Sequence, residues 1–274
     1  MLLKALLIAA GLAALPCVAG EIDGAPQIVP LESALESNPN PVQLQGALRR
    51  PEGSGPFGAV VLLHGCNGNY LRVDARWGRM IAAWGYVTLS VDSLGTRNIA
   101  DTCNQPWPFD MGFDAYRGLK FLAERFDVDP KRVAVLGFSS GARMALWSVE
   151  RNSIEHLFAD RFRSAIAFDP GCNAFAGHMT VPTLILIGER EDRTRVQDCR
   201  DMVAGRSSLG ITRDGTATRG VKLLVYPDAD HAFDVPRFQP GKQLPGHWPD
   251  DDGQATGDAT QELHSFLDET IGRR

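Results

Sequence analysis

The sequence predicts a doubly wound α/β fold: a mostly parallel central sheet with helices on both faces. Three observations predict it. Short apolar runs recur along the chain. Most are continuous rather than alternating, as expected of strands covered on both faces. Stretches of helical spacing separate them, which is the order of a βαβ chain. The composition agrees, since 44% of the 274 residues are hydrophobic and 22% charged, enough to bury a sizeable core.

Residues 1–20 read as an export signal. Lys4 supplies the positive end, residues 5–15 are apolar, and Pro16 breaks the stretch before the small residues Ala19 and Gly20. The apolar part is short for a membrane span, and Pro16 directly before Cys17 suits a lipoprotein site poorly. Residues 21–274 are expected to form a single domain, with no internal repeat or composition break. A Pro- and Asn-rich lead-in, 26–41, precedes an antiparallel strand over 42–48. Strands of the parallel sheet are expected at 59–63, 86–91, 133–137, 165–168, 183–187 and 222–226. Helices are expected at 72–84, 109–126, 141–153, 195–209 and 259–271. The stretch 235–257, rich in Pro, Gly and Asp, reads as a long surface loop.

The formal net charge is -5, and it becomes -6 once the signal and Lys4 are removed. That argues against a nucleic-acid binder, which would carry a basic face. No other run is long and apolar enough to span a bilayer, so no stable membrane anchor is expected after signal cleavage. Four cysteines then remain: Cys66, Cys103, Cys172 and Cys199. In an exported chain they imply two disulfides, with three pairings open. No Cys-x-x-Cys occurs, so no zinc or thioredoxin-type site is expected, and no metal is assigned to the chain. The expected location is periplasmic or secreted.

Gly137-Phe138-Ser139-Ser140-Gly141 is a G-x-S-x-G string. About 0.1–0.2 chance matches are expected in such a chain, so the string alone is modest evidence. Its position gives it weight: the strand 132–136 precedes it and a helical stretch follows. A strand-to-helix turn of this kind lifts a serine hydroxyl above the sheet edge, and flanking glycines let neighbouring backbones approach. The alternative is a glycine-rich turn with no catalysis. A serine needs a base, and six histidines are available. His231 follows the last apolar run, where a loop returns over the sheet edge. His156, His178, His247 and His264 read as surface or packing residues by placement. The acid that orients the base is expected just past the run 183–187. Asp192 is favoured because aspartate is the commoner residue in this role, with Glu191 as the alternative acid. His64-Gly65-Cys66-Asn67-Gly68 ends the strand 59–63. A turn there can aim the Cys66 N–H, together with that of Ser140, at a developing oxyanion. Trp107, Phe109, Trp147, Phe175 and Trp248 are candidates for an acyl pocket or for plain packing. Arg143 is a candidate partner for an anionic group or a surface cation.

Together these residues resemble the dienelactone hydrolase family of the α/β-hydrolase superfamily. The likeness rests on Leu63-His64-Gly65-Cys66, Trp84-Gly85-Tyr86, Val91-Asp92-Ser93-Leu94-Gly95, the G-x-S-x-G string, Gly188 to Thr194, and Tyr226 through Asp234. It implies an α/β-hydrolase fold and a Ser139–Asp192–His231 triad acting on a small-molecule ester or lactone, with no cofactor. The segments Asp169-Pro170-Gly171-Cys172 and Asp198-Cys199-Arg200 resemble paired family positions. On that resemblance the expected disulfides are Cys66–Cys103 and Cys172–Cys199. Ser139 is a departure, because dienelactone hydrolases carry cysteine at this turn. The acid segment Glu191-Asp192-Arg193-Thr194 is another, where relatives tend to show two aspartates and a proline. The expected activity is carboxylic ester hydrolysis through an acyl-enzyme. The alternatives are a peptidase of prolyl-oligopeptidase type and a non-catalytic binding protein on a hydrolase scaffold.

Overall fold

The computed structural model describes residues 24–32, 42–104, 111–190, 193–206, 220–235 and 252–272. The reading of residues 1–20 as an export signal lies outside them. Among the described residues, eight strands form one sheet: β1 Gln27–Leu31, β2 Leu44–Arg49, β3 Phe57–Leu63, β4 Val87–Asp92, β5 Val128–Phe138, β6 Ser164–Phe168, β7 Thr183–Gly188 and β8 Val221–Tyr226. Their spatial order is β1-β2-β4-β3-β5-β6-β7-β8. The pairs β1–β2 and β2–β4 are antiparallel, and every later pairing is parallel.

The continuous apolar runs have a direct structural cause. Every residue of β3, β4, β6 and β7 is buried, because both faces of the sheet are covered. Successive strand residues point to opposite faces, and the core divides accordingly. Val61, Val135, Ala167 and Ile185 pack on one side with Tyr116 and Leu119 of α3 (Met111–Ala123), Ala145 and Leu146 of α4 (Ser140–Trp147) and Met202 of α5 (Val196–Val203). Leu62, Leu136, Ile166 and Leu186 pack on the other with Trp77, Ile81 of α2 (Arg79–Ala83) and Leu263 and Leu267 of α6 (Asp252–Ile271).

Some elements differ from the sequence reading. β1 falls inside the expected lead-in; its Pro30 is tolerated because an edge strand need not donate from every residue. The helix expected over 72–84 starts earlier, as α1 (Tyr70–Val73) capped by the Asn69 side chain. It then passes through a π-turn at Asp74–Gly78 before α2. α4 stops at Trp147 rather than at residue 153. The Glu150 carboxylate instead accepts the N–H groups of Ala176 and Gly177, and Asn152 turns left-handed at φ 63°. α6 begins at Asp252 rather than at residue 259, so the end of the expected loop is helical. Thr256 anchors it there by donating its hydroxyl to the Phe233 carbonyl.

Candidate active site

Ser139 sits at the carboxyl end of β5, with φ 53° and ψ -114°, as the residue that caps α4. Its N–H donates to the Phe168 carbonyl of the neighbouring strand at 2.8 Å. The turn is tight enough to require both flanking glycines. A Cβ at Gly137 would stand 2.1 Å from the Gly141 carbonyl oxygen, and one at Gly141 would stand 2.3 Å from that of Leu63. Real Cβ contacts never come that close, so the G-x-x-x-G spacing is a packing requirement here.

His231 arrives from the loop after β8. Ala229 and Phe233 on either side of it are buried in the core. The Arg190 N–H holds the Ala229 carbonyl at 3.0 Å. Gly188 lies against the same backbone, with an added Cβ only 2.3 Å from the Ala229 oxygen. The turn is thus clamped to the end of β7, and it brings His231 Nε2 to 3.1 Å from Ser139 Oγ. An imidazole nitrogen at that distance can take the hydroxyl proton. Asp192 and Glu191 both lie outside the described residues.

The loop after β3 lies beside the Ser139 turn; a Cβ at Gly65 would be in ordinary contact with Ser139 Cβ, at 3.6 Å. His64 is buried and controls this loop. The Ser93 N–H donates to His64 Nε2 at 3.1 Å, so that nitrogen carries no proton. The proton must sit on Nδ1, which donates to the Gly65 carbonyl at 2.7 Å. Burial pushes the His64 pKa down and keeps the ring neutral, against the opposing pull of Asp92 and Asp114. The Gly65 carbonyl also accepts from the Gly68 N–H at 3.2 Å. In a planar trans peptide the N–H points opposite the carbonyl. Holding the Gly65 oxygen therefore sets the direction of the Cys66 N–H, the expected oxyanion donor. Ser140, the other expected donor, opens α4.

The four described cysteines pair as Cys66–Cys103 and Cys172–Cys199, the pairing the resemblance implies. The first tethers the Cys66 turn to the segment around Thr102, whose N–H donates to the Cys66 carbonyl at 2.8 Å. The second joins the loop after β6 to α5.

Of the other residues singled out, Phe175 is buried in the core and Trp147 packs against it. Arg143, His156 and His178 are exposed. His264 stacks on Trp84 with ring centroids 4.2 Å apart. Trp107, Phe109, Trp248 and His247 lie outside the described residues. Sequence reading gave no role to two buried acids. Asp169, at the end of β6, accepts the N–H groups of Gly188 and Ala232. Asp234, three residues past His231, accepts the Trp77 indole N–H at 2.9 Å. An acid directly after an apolar strand was the available sign for Asp169; nothing local marks Asp234. Among the described residues, no group of three or more His, Cys, Asp or Glu stands together as a metal set. No helix among them is long and apolar enough to cross a membrane.

No protein-family model and no curated protein matches the sequence. Solved structures do. A dienelactone hydrolase-like promiscuous phosphotriesterase from metagenomic libraries superposes with a TM-score of 0.65 at 18% identity, covering 91% of this chain and 100% of that one. An esterase of Pyrococcus furiosus gives 0.61 at 17% identity, covering 92% and 95%. A dipeptidyl peptidase 4 of Porphyromonas gingivalis gives 0.62 at 15% identity, covering 90% of this chain but 35% of that one. With this strand order, the likenesses establish the α/β-hydrolase fold.

Proposed function

We propose that this α/β-hydrolase chain is a carboxylic ester hydrolase that cleaves a small ester or lactone through an acyl-enzyme. One observation carries the reading: His231 Nε2 stands 3.1 Å from Ser139 Oγ, on a strand-to-helix turn at the carboxyl edge of the sheet. Ser139 attacks the carbonyl carbon while His231 takes its proton. The N–H groups of Cys66 and Ser140 receive the oxyanion; losing one such donor typically costs about 10²–10³ in turnover. The intermediate collapses, His231 returns the proton to the leaving alkoxide, and the acyl group stays on Ser139. Water, deprotonated by His231, then attacks the acyl-enzyme and releases the acid. Asp192 is proposed to orient His231, with Glu191 as the alternative. Export to the periplasm or beyond is part of the reading, and the two disulfides are compatible with it.

The test is labelling by a fluorophosphonate and hydrolysis of p-nitrophenyl esters, in the wild type and in Ser139→Ala. Labelling and turnover are expected in the wild type and absent in the variant; an inert wild type refutes the reading. Comparing Asp192→Asn with Glu191→Gln identifies the acid.

A further inference from the structure

We propose that Asp169 is a positioning residue for the Ser139–His231 pair, its single carboxylate holding the β7 exit and the histidine turn in register. The proposal rests on the ester-hydrolase reading.

Asp169 and Phe168 before it contact the Ser139 turn, the end of β7 and the His231 turn. Phe168, just before it, accepts the Ser139 N–H at 2.8 Å. Asp169 donates its own N–H to the Leu186 carbonyl at 2.8 Å, across to β7. Its φ of 49° takes the chain out of the strand, and the residue is 1% exposed. Oδ1 accepts the Gly188 N–H at 3.0 Å, where the chain leaves β7 toward residues 191 and 192. Oδ2 accepts the Ala232 N–H at 2.8 Å, directly after His231. Ala232 is itself left-handed, at φ 57°. Three residues further on, Cys172 is bonded to Cys199, which ties the Asp169 segment to the helix that follows residues 191 and 192.

An ionised carboxylate accepts on both oxygens, whereas an amide of the same shape accepts on one and donates from the other. Both oxygens of Asp169 face backbone N–H groups, so an asparagine would satisfy only one and oppose the other with its own N–H. Either Gly188 or Ala232 would be displaced. A displacement of about 1 Å in catalytic geometry can cost on the order of 10²-fold in rate. Substrate contacts elsewhere would be spared, so the loss should fall on kcat.

The experiment compares full-length wild type, Asp169→Asn and Asp169→Ser by p-nitrophenyl ester kinetics, fluorophosphonate labelling rate and thermal midpoint. The expected result is a fall in kcat of roughly 10–100-fold with KM within about twofold, and labelling slowed in parallel, in protein folded at the assay temperature. Unchanged kcat per folded molecule overturns the proposal, whatever the thermal midpoint does. So does failure of both variants to fold, which would assign Asp169 to the sheet alone. An inert wild type brings down the hydrolase reading as well; an active wild type matched by Asp169→Asn brings down this proposal only.

Discussion

The indole N–H of Trp77 donates to Oδ2 of Asp234 at 2.9 Å, linking residues 157 positions apart. Both are almost fully buried, at 1% and 4% exposure. Trp77 lies in the π-turn ahead of α2, and Asp234 ends the turn that carries His231. The bond therefore fastens the histidine turn to one face of the sheet. Trp77→Phe leaves a buried carboxylate without its donor and should cost about 1–3 kcal/mol in urea denaturation, with a lower kcat. Burial pushes the Asp234 carboxyl up, against the Trp77 hydrogen bond and the Arg76 charge. From about 3.9, where the unfolded chain ionises, up to the folded value, the folded chain holds a proton the unfolded chain has released. This residue's contribution to stability thus falls as pH rises through that interval. Asp234→Asn should lose that component of the pH dependence while keeping an acceptor for the indole.

Ser139 occupies a backbone region that side chains rarely adopt. Such positions cost about 1–3 kcal/mol and are retained where chemistry requires them. Ser139→Gly should abolish turnover yet gain about 1 kcal/mol of stability, after allowing for the extra freedom of glycine in the unfolded chain. Equilibrium denaturation beside Ser139→Ala measures the difference. Equal stability of the two variants would show the turn to be unstrained.

His64 is held neutral in the folded protein, whereas in the unfolded chain it takes a proton near pH 6.5. Below that pH the unfolded state binds more protons, so this residue's contribution to stability falls as pH drops from about 6.5 toward the folded value. The thermal midpoint should decline over that interval. His64→Gln should lose part of the decline, and its kcat should fall because the Gly65–Cys66 peptide is no longer held.

The two disulfides should be separable in function. Replacing either pair by serine is expected to cost about 2–4 kcal/mol, given loops of 37 and 27 residues. Removing Cys66–Cys103 also frees the turn that carries the proposed oxyanion donor Cys66, so kcat should fall about 10–100-fold. Steady-state kinetics at a temperature where both variants are folded checks this.

Much of the molecule was legible because its determinants are local. Continuous apolar runs marked the buried strands: 183–187 was read, and Thr183–Gly188 was found. The G-x-S-x-G string marked the turn at Ser139, since its glycines answer a clash within a few residues and against the adjoining strand. Where distant contacts decide, local pattern failed. α4 ends where Glu150 engages the loop at Ala176, and β1 exists because β2 offers it an edge.

By itself, then, the sequence determined the α/β class, the central strands and the turn that presents Ser139, because periodicity and steric spacing act over a few residues. Tertiary structure alone decided that His231 stands at 3.1 Å from Ser139 across 92 residues, that His64 takes the Nδ1–H form, and that Asp169 and Asp234 brace the histidine turn. Those relations depend on which loops the folded sheet brings to one edge, and no local property of the chain encodes them.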